Sequence, residues 1–136
     1  MMISTKGRYA LRVMLDLASH QKDGYIPLAE IAARQGISEK YLESILSVLS
    51  KAGLLDALRG KGGGYRLSRK PEDYSVYDIL CLTEGTLAPV ACLEAGQGCE
   101  NAASCSTYPL WRGLDETVRT YLSGFTLLDV LHMKKP

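Results

Sequence analysis

The sequence predicts a mainly α-helical fold of the winged helix-turn-helix class, extended by a long C-terminal helix. Three features of the 136 residues support this prediction. Two short amphipathic segments meet at Gly36, which is the pattern of two helices joined by a tight turn. Two strand-like segments with a glycine-rich, basic connection follow them, as in a two-stranded wing. Apolar residues then recur at helical spacing from Pro109 onwards.

The first two helices are marked by their capping residues. Ser4 or Thr5 can accept a hydrogen bond from an amide of the first turn, and the apolar positions that follow continue a helix to about Gln21. A short helix is then predicted from Leu28 to Gln35, where Gly36 ends it.

The third helix is the predicted recognition helix. Ser38 is a good N-cap and Gly53 a typical helix end, and four apolar residues between them lie on one face. The second helix of a helix-turn-helix pair enters the DNA major groove, where short polar groups can reach base edges. The alternative is that the outer face is an ordinary solvated one. The candidate DNA contacts of this helix are Ser38, Lys40, Tyr41, Glu43 and Ser44.

A β-hairpin is predicted immediately after this helix. Leu55 and Ala57 alternate with a polar residue, as do Tyr65 and Leu67, which is the spacing of strands. The tip between them holds two cations and a run of glycines, which suits a narrow minor groove. A nucleotide-phosphate loop is disfavoured, because the glycine run neither ends in Gly-Lys-Ser/Thr nor leads into a helix. The candidate DNA contacts of the wing are Arg59, Lys61, Gly62 and Gly63.

The second half of the chain begins with a capping box at Ser75, which opens a short apolar helix through Thr83. Cys81 lies in the apolar run of this helix and is predicted to be a buried core thiol. No period holds from residue 85 to residue 108, and this segment is rich in glycine, alanine, serine and asparagine. A loop containing three further cysteines is therefore expected.

The long helix that begins at Pro109 has an apolar stripe on one face. Such a stripe packs either on its own domain or on the same helix of a second subunit. Because helix-turn-helix proteins usually bind paired half-sites as two-fold dimers, we favour a homodimer. Gly124 is predicted to end or bend this helix, and a short apolar tail follows. The predicted dimerisation residues are Leu110, Leu114, Val118 and Leu122.

Charge is distributed unevenly along the chain. Residues 1–70 hold 12 Lys and Arg against 6 Asp and Glu, whereas residues 71–136 hold 4 against 9. This asymmetry either orients the protein on nucleic acid or serves solvation alone. The sequence has neither an export signal nor a membrane-length apolar run, so a cytoplasmic protein with reduced cysteines and no membrane partner is expected.

Several motifs together resemble the IscR-like family of bacterial winged-helix transcriptional regulators, whose members include NsrR and CymR. They are Ser4–Ala10, Gln35–Ser38, Tyr41–Glu43, Arg59–Gly60 and Gly62–Tyr65. The resemblance covers nearly the whole chain and implies a homodimer that binds a double-stranded DNA operator and represses or activates transcription. We divide the chain accordingly into a DNA-binding domain (1–84), a cysteine-containing sensor loop (85–107) and a dimerisation helix with its tail (108–136).

The resemblance also implies a cofactor. Cys92, Cys99 and Cys105 match the loop cysteines that hold a 2Fe–2S cluster in the iron–sulfur members, with a slightly longer first interval. IscR has a histidine three residues after the last cysteine as the fourth ligand, and this chain has Tyr108 there, so its fourth ligand is unassigned. The residues that could replace it are Glu94, Glu100, His20 and His132.

Three interpretations of these cysteines stay open. They hold an iron–sulfur cluster that controls operator binding, they respond without iron as reactive thiols or to a sulfur metabolite, or they are inert or zinc-binding. A thiol-redox enzyme is disfavoured, because a Cys-x-x-Cys pair and a nearby histidine base are missing from the sequence and the basic wing would have no role. The sequence therefore predicts a transcriptional regulator and not an enzyme.

Overall fold

The computed structural model describes residues 3–94 and 98–136. Its regular elements are α1 (Thr5–Ser19), α2 (Leu28–Gln35), α3 (Glu39–Lys51), β1 (Leu55–Leu58), β2 (Gly64–Leu67), α4 (Val76–Glu84), α5 (Tyr108–Ser123) and α6 (Leu127–Leu131). Across the described residues the fold is mainly helical with a two-stranded antiparallel sheet, which confirms the predicted class.

Local capping sets the turn between α2 and α3. Gly36 adopts the left-handed conformation (φ 65°) at the end of α2, which glycine reaches without a steric penalty. The Ser38 hydroxyl accepts a hydrogen bond from the Tyr41 amide at 3.1 Å at the start of α3. These caps bracket the turn, so the relative direction of the two helices is largely fixed by local sequence.

The main core lies between α1, α3 and the C-terminal end of the chain. Val13 and Met14 of α1 and Leu42 and Ile45 of α3 are fully buried. Leu127 at the start of α6 is equally buried in the same cluster. Each such side chain contributes about 1.5–3 kcal/mol when it leaves water. The segment predicted as a short apolar tail is therefore a helix that completes the core of the helix-turn-helix.

The wing is attached at its base to the segment before α2. β1 and β2 pair antiparallel with Leu58 opposite Gly64, as the alternating sequence predicts. Ile26 adds an isolated bridge to Tyr65 through backbone hydrogen bonds of 2.8 and 2.9 Å. The Ile26 carbonyl also approaches Gly64 so closely that a β-carbon at this glycine would collide with it.

Hydrogen bonds between Ser4 and Glu84 join the start of α1 to the end of α4. The Ser4 amide and hydroxyl donate to the Glu84 carboxylate at 3.0 and 2.6 Å, and the same hydroxyl accepts from the Gly7 amide at 3.0 Å. A β-carbon at Gly7 would collide with this carboxylate. Glycine at this position therefore allows the carboxylate to approach closely, and a larger residue would displace it from the Ser4 contact.

A second apolar cluster lies between α4 and α5. Val76, Leu80 and Leu87 are buried in it, and Leu122 and Phe125 pack against it from the C-terminal side. Leu87 lies near the start of the loop, so the loop and α5 share this cluster. Cys81 is half-buried at its edge and is not the fully buried thiol that the sequence predicted.

The predicted dimerisation stripe is divided between two faces of α5. Leu110 and Leu114 are 64% and 39% exposed, whereas Leu122 packs on its own chain. Successive residues of a helix turn by about 100°, which places Tyr121, 62% exposed, on the side of Leu110 and Leu114. The outward apolar face of α5 thus contains Tyr121 and not Leu122, and Val118 lies half-buried between the two faces.

Candidate nucleic-acid interface and cysteine loop

The outer face of α3 is a row of exposed polar side chains. Three predicted DNA contacts, Lys40, Glu43 and Ser44, lie in this row. Ser47 and Lys51 continue it towards the end of the helix. Sequence analysis did not single out the last two, although polar residues at i, i+3, i+4, i+7 and i+11 mark the side opposite the apolar stripe.

The hydroxyls and rings near the start of α3 already have partners within the chain. The Ser44 hydroxyl donates to the Tyr41 carbonyl at 2.6 Å, one turn earlier in the helix. The Tyr41 ring packs edge-to-face on Tyr9 with centroids 6.0 Å apart, and the Arg12 guanidinium lies 4.6 Å from the Tyr9 centroid. Tyr41 is half-buried, and this contact packs its ring against α1.

The wing tip presents the two predicted cations to solvent. Arg59 and Lys61 are exposed. Gly60 and Gly62 have φ values of 93° and 77°, which other residues rarely adopt. At Gly63 a β-carbon would collide with the Leu58 carbonyl oxygen. The glycine run is therefore what allows the chain to make so tight a tip between two basic side chains.

A groove of about 520 Å³ separates α3 from the wing. Glu43, Ser47 and Lys51 line one side, and Leu58 and Arg59 line the other. Leu58 is 48% exposed although it belongs to a strand, so it adds an apolar contact surface to the wing side of this groove. Leu58 was not among the predicted contacts, because the alternation of a strand does not indicate which of its apolar residues stays exposed to solvent.

A buried carboxylate joins α1 to the C-terminal end of α2. The Asp16 side chain is 2% exposed and accepts hydrogen bonds from Arg34 at 2.7 and 3.0 Å and from Gln35 at 2.8 Å. Burial raises the pKa of Asp16, but the hydrogen bonds and charge of Arg34 and the bond from Gln35 outweigh it, so the pKa is lowered. This contact was not predicted; the hint that the sequence offers is an acidic residue beside the apolar stripe of α1.

The three predicted cluster ligands lie in or beside a loop with little regular structure. Cys92 sits in a 3₁₀ turn, and Cys92, Cys99 and Cys105 are all half-buried. Among residues 3–94 and 98–136, no three histidine, cysteine or acidic side chains converge so that they could hold a metal ion. Tyr108, at the position of the expected fourth ligand, is the first residue of α5.

Cys105 differs from the other loop cysteines in its hydrogen bonding. Cys105 lies three residues before the start of α5, and its sulfur is 3.4 Å from the Thr107 hydroxyl. The hydrogen bond from this hydroxyl, together with those from the Thr107 and Tyr108 amides, lowers the pKa of the Cys105 thiol. Donors at a helix start favour a thiolate, which is the reactive form of cysteine.

Cys81 lines a cavity of about 380 Å³ between α4, α5 and the loop. The hydrogen bond to Cys81 and burial raise the pKa of the Tyr77 phenol. Asp115 and Arg119 of α5 also line this cavity, and the Arg119 guanidinium lies 5.4 Å from the centre of the Tyr77 ring. This contact joins α4 to α5 beside the loop.

Comparison with known proteins decides the family. The family model described as Rrf2, iron-dependent transcriptional regulator, matches residues 3–133. The chain belongs to the Rrf2 family. It is 40% identical over 131 residues to the HTH-type transcriptional regulator IscR of Aliivibrio salmonicida, covering 96% of this chain and 77% of that protein.

Two solved Rrf2-type structures share the fold over nearly the whole chain. CymR of B. subtilis, the global cysteine regulator, superposes with a TM-score of 0.82 at 36% identity, covering 99% of both chains. IscR of T. potens superposes with a TM-score of 0.77 at 36% identity, covering 100% of this chain and 94% of that one. These similarities confirm the predicted family and its winged-helix fold. This Rrf2 protein is a transcriptional regulator and not an enzyme. Every helix in the described part of the chain is too short or too polar to span a bilayer.

Proposed function

We propose that this Rrf2 protein is a homodimeric transcriptional regulator whose binding to a double-stranded DNA operator is controlled by its cysteine loop. Residues 1–84 bind DNA, residues 85–107 sense the signal and residues 108–136 form the dimer. The two-fold dimer presents two copies of α3 to paired half-sites. This activity belongs to the cytoplasm, where bacterial DNA lies.

One observation supports DNA binding most directly, namely the exposed surface that continues from α3 across the groove to the wing tip. Four exposed cations, Lys40, Lys51, Arg59 and Lys61, border this surface. Cations on a helix and on an adjacent hairpin suit a major groove and its neighbouring minor groove respectively. Ser38, Tyr41, Gly62 and Gly63 are assigned to the same interface, where hydroxyls and close backbone approach serve phosphate contacts.

The experiment starts with selection of an operator from random duplexes, followed by anisotropy titrations at several salt concentrations. A regulator of this kind releases counterions from DNA, so affinity should fall steeply as salt rises. Selection that yields no preferred sequence, together with salt-independent binding, would contradict DNA recognition by this surface.

Control by the loop takes an iron–sulfur form and a thiol form. A 2Fe–2S cluster, when bound, supplies a redox-active and oxygen-sensitive centre held by thiolates. As placed, Cys92, Cys99 and Cys105 do not converge, so the present arrangement does not fit the cluster, and cluster binding would need the loop to rearrange. The thiol form is favoured by the lowered pKa of Cys105. In it, a movement of the loop brings two of its thiols together, and they lose two protons and two electrons to hydrogen peroxide, forming a disulfide and two water molecules.

Anaerobic reconstitution with iron and sulfide distinguishes the two forms. The iron–sulfur form predicts a visible-absorbing cluster in the wild type and, because a phenol with a pKa of about 10 is a poor ligand at neutral pH, an equal cluster in Tyr108→Phe. Loss of the cluster in Tyr108→Phe alone would make the phenol a ligand. If the wild type and Tyr108→Phe both stay colourless and their operator affinity changes on treatment with peroxide or a dithiol, the thiol form is supported.

A further inference from the structure

One buried tyrosine holds the base of the wing. Tyr74 is 2% exposed, and its hydroxyl donates to the Leu54 carbonyl at 2.7 Å and accepts from the Arg69 amide at 3.0 Å. Leu54 directly precedes β1, and Arg69 follows β2 by two residues. A single hydroxyl therefore joins the incoming and outgoing ends of the hairpin. Ser68 reinforces this junction, since its hydroxyl donates to the Gly53 carbonyl at 2.8 Å.

The backbone around Tyr74 is bonded to the turn between α5 and α6. The Leu127 amide donates to the Tyr74 carbonyl at 3.0 Å, and the Val76 amide donates to the Phe125 carbonyl at 3.0 Å. These bonds form an antiparallel bridge centred on Ser75. The segment 74–76 thus contacts the wing through a side chain and the end of α5 through its backbone.

The same turn contacts the sensor loop through the second apolar cluster. Phe125 and Leu122 pack against this cluster, in which Leu87 of the loop is buried beside Val76. A shift of the loop or of α5 would therefore move the partners of segment 74–76 directly. The contacts are continuous from Leu87 to the wing, and each is a hydrogen bond or a packed apolar side chain.

We propose that Tyr74 is a positioning residue for DNA binding. Its hydroxyl fixes the wing relative to α3, and segment 74–76 makes that position depend on α5 and the cysteine loop. This inference rests on the proposed function for its link to the loop, whereas the positioning of the wing can be measured without DNA.

Hydrogen exchange of Tyr74→Phe tests the positioning. This variant keeps the ring in the core and removes the hydroxyl. We expect the hydrogen-bonded amides of β1 and β2 to exchange about tenfold faster or more, while those of α1 stay unchanged. Tyr9→Phe, which removes the hydroxyl of a ring of α1 packed against the same core, is the matched control and should leave the wing unchanged. Equal acceleration of wing and core amides would mean that Tyr74 serves general stability only, and would overturn the proposal. Should Tyr74→Phe fail to fold, Ser68→Ala weakens the same junction and must give the same wing-specific pattern.

Val76→Pro tests the connection to α5. Val76 is the first residue of α4, where proline is well tolerated, and Ser75 is extended (φ −84°, ψ 132°), as a residue before proline prefers. The substitution deletes the amide that donates to Phe125, and Val76→Ala is the control that shortens the side chain but keeps this amide. Faster wing exchange in the proline variant and not in the alanine variant is expected. Equal wing exchange in both variants would disprove the connection.

Operator titrations then separate this inference from the proposed function. We expect Arg59→Ala to weaken binding by about tenfold or more in an otherwise wild-type chain, but by less than about threefold when combined with Tyr74→Phe or Val76→Pro. The same loss in all three backgrounds would overturn the inference and leave the wing contact intact. No loss in the wild-type background would instead contradict the proposed wing contact, and the exchange data would still decide whether Tyr74 positions the wing.

Discussion

A charge placed on the outward face of α5 should separate the proposed dimer without unfolding its subunits. Leu114 is 39% exposed within one chain, so Leu114→Asp gives up only the part of the leucine that its own chain covers, which should cost the subunit about 0.9–1.8 kcal/mol. In a dimer formed through this face the same aspartate is buried against its symmetry mate. The substitution therefore acts more strongly on assembly than on folding.

The exposed fraction of Leu114 sets the size of the effect. Complete burial of a leucine is worth about 1.5–3 kcal/mol, so covering the remaining 39% contributes roughly 0.6–1.2 kcal/mol per subunit and twice that per dimer. An unpaired carboxylate buried in its place costs about 3–5 kcal/mol. The dimer dissociation constant should therefore rise by at least about a thousandfold, which corresponds to about 4 kcal/mol.

Sedimentation velocity over a concentration series measures this change, with circular dichroism to confirm the helices. Ser123→Asp is the matched control, because position 123 is nine residues from position 114 and lies on the opposite side of the helix. Leu122→Asp should instead destabilise the subunit itself, since Leu122 packs on its own chain. If Leu114→Asp sediments as the wild-type dimer does, the dimer forms through another surface and the assignment of this face is wrong.

Three further outcomes are expected. In operator titrations, Arg59→Ala should cost about 1–3 kcal/mol of binding, whereas Lys61→Ala should cost less and lower the salt slope by about one. The pKa of Asp16 is lower in the folded chain than in the unfolded chain. The ionised Asp16 carboxylate therefore contributes its full stability above the unfolded pKa of about 3.9, and this contribution is lost as the pH falls through the pKa of the folded chain. Asp16→Asn should thus destabilise the fold by about 1.5–3 kcal/mol at pH 7, and its melting temperature should fall less steeply towards acid pH than that of the wild type. Parallel falls of the two melting temperatures would refute the pairing of Asp16 with Arg34. Thr107→Val should move the pH midpoint of Cys105 alkylation upwards, as mass spectrometry of the labelled peptide would report, and an unmoved midpoint would remove the hydroxyl as the cause.

Elements marked by a local sequence pattern could be predicted, whereas contacts between residues far apart along the chain could not. The bounds of α2 were predicted to the residue, because Gly36 marks its end. The helical nature of α6 and its place in the core were missed, since five residues give too short a pattern and the burial of Leu127 depends on α1. The division of the α5 stripe was missed for the same reason: periodicity identifies an apolar face but not which part of it the rest of the chain covers.

The candidate site was predictable to the same extent. The outer face of α3 and the basic wing tip follow from local spacing, so their residues could be named. The partners of Asp16 lie 18 and 19 residues away along the chain, and Leu54 and Leu127, which bond to Tyr74, lie 20 and 53 residues away, so they could not be inferred from one sequence. The three cysteines were found by resemblance, and their separation in space is a property of the loop fold that spacing does not contain.

If α3 lies in the major groove as proposed, the hydrogen bond from Ser44 to its own helix limits which bases this protein can select. Because the hydroxyl hydrogen is committed to the Tyr41 carbonyl, Ser44 presents only lone pairs to the groove, and Glu43 beside it is an acceptor as well. Both match the amino groups of cytosine or adenine, whereas Lys40 can only donate and matches guanine. Each half-site should therefore place a guanine next to bases with exocyclic amino groups in the major groove.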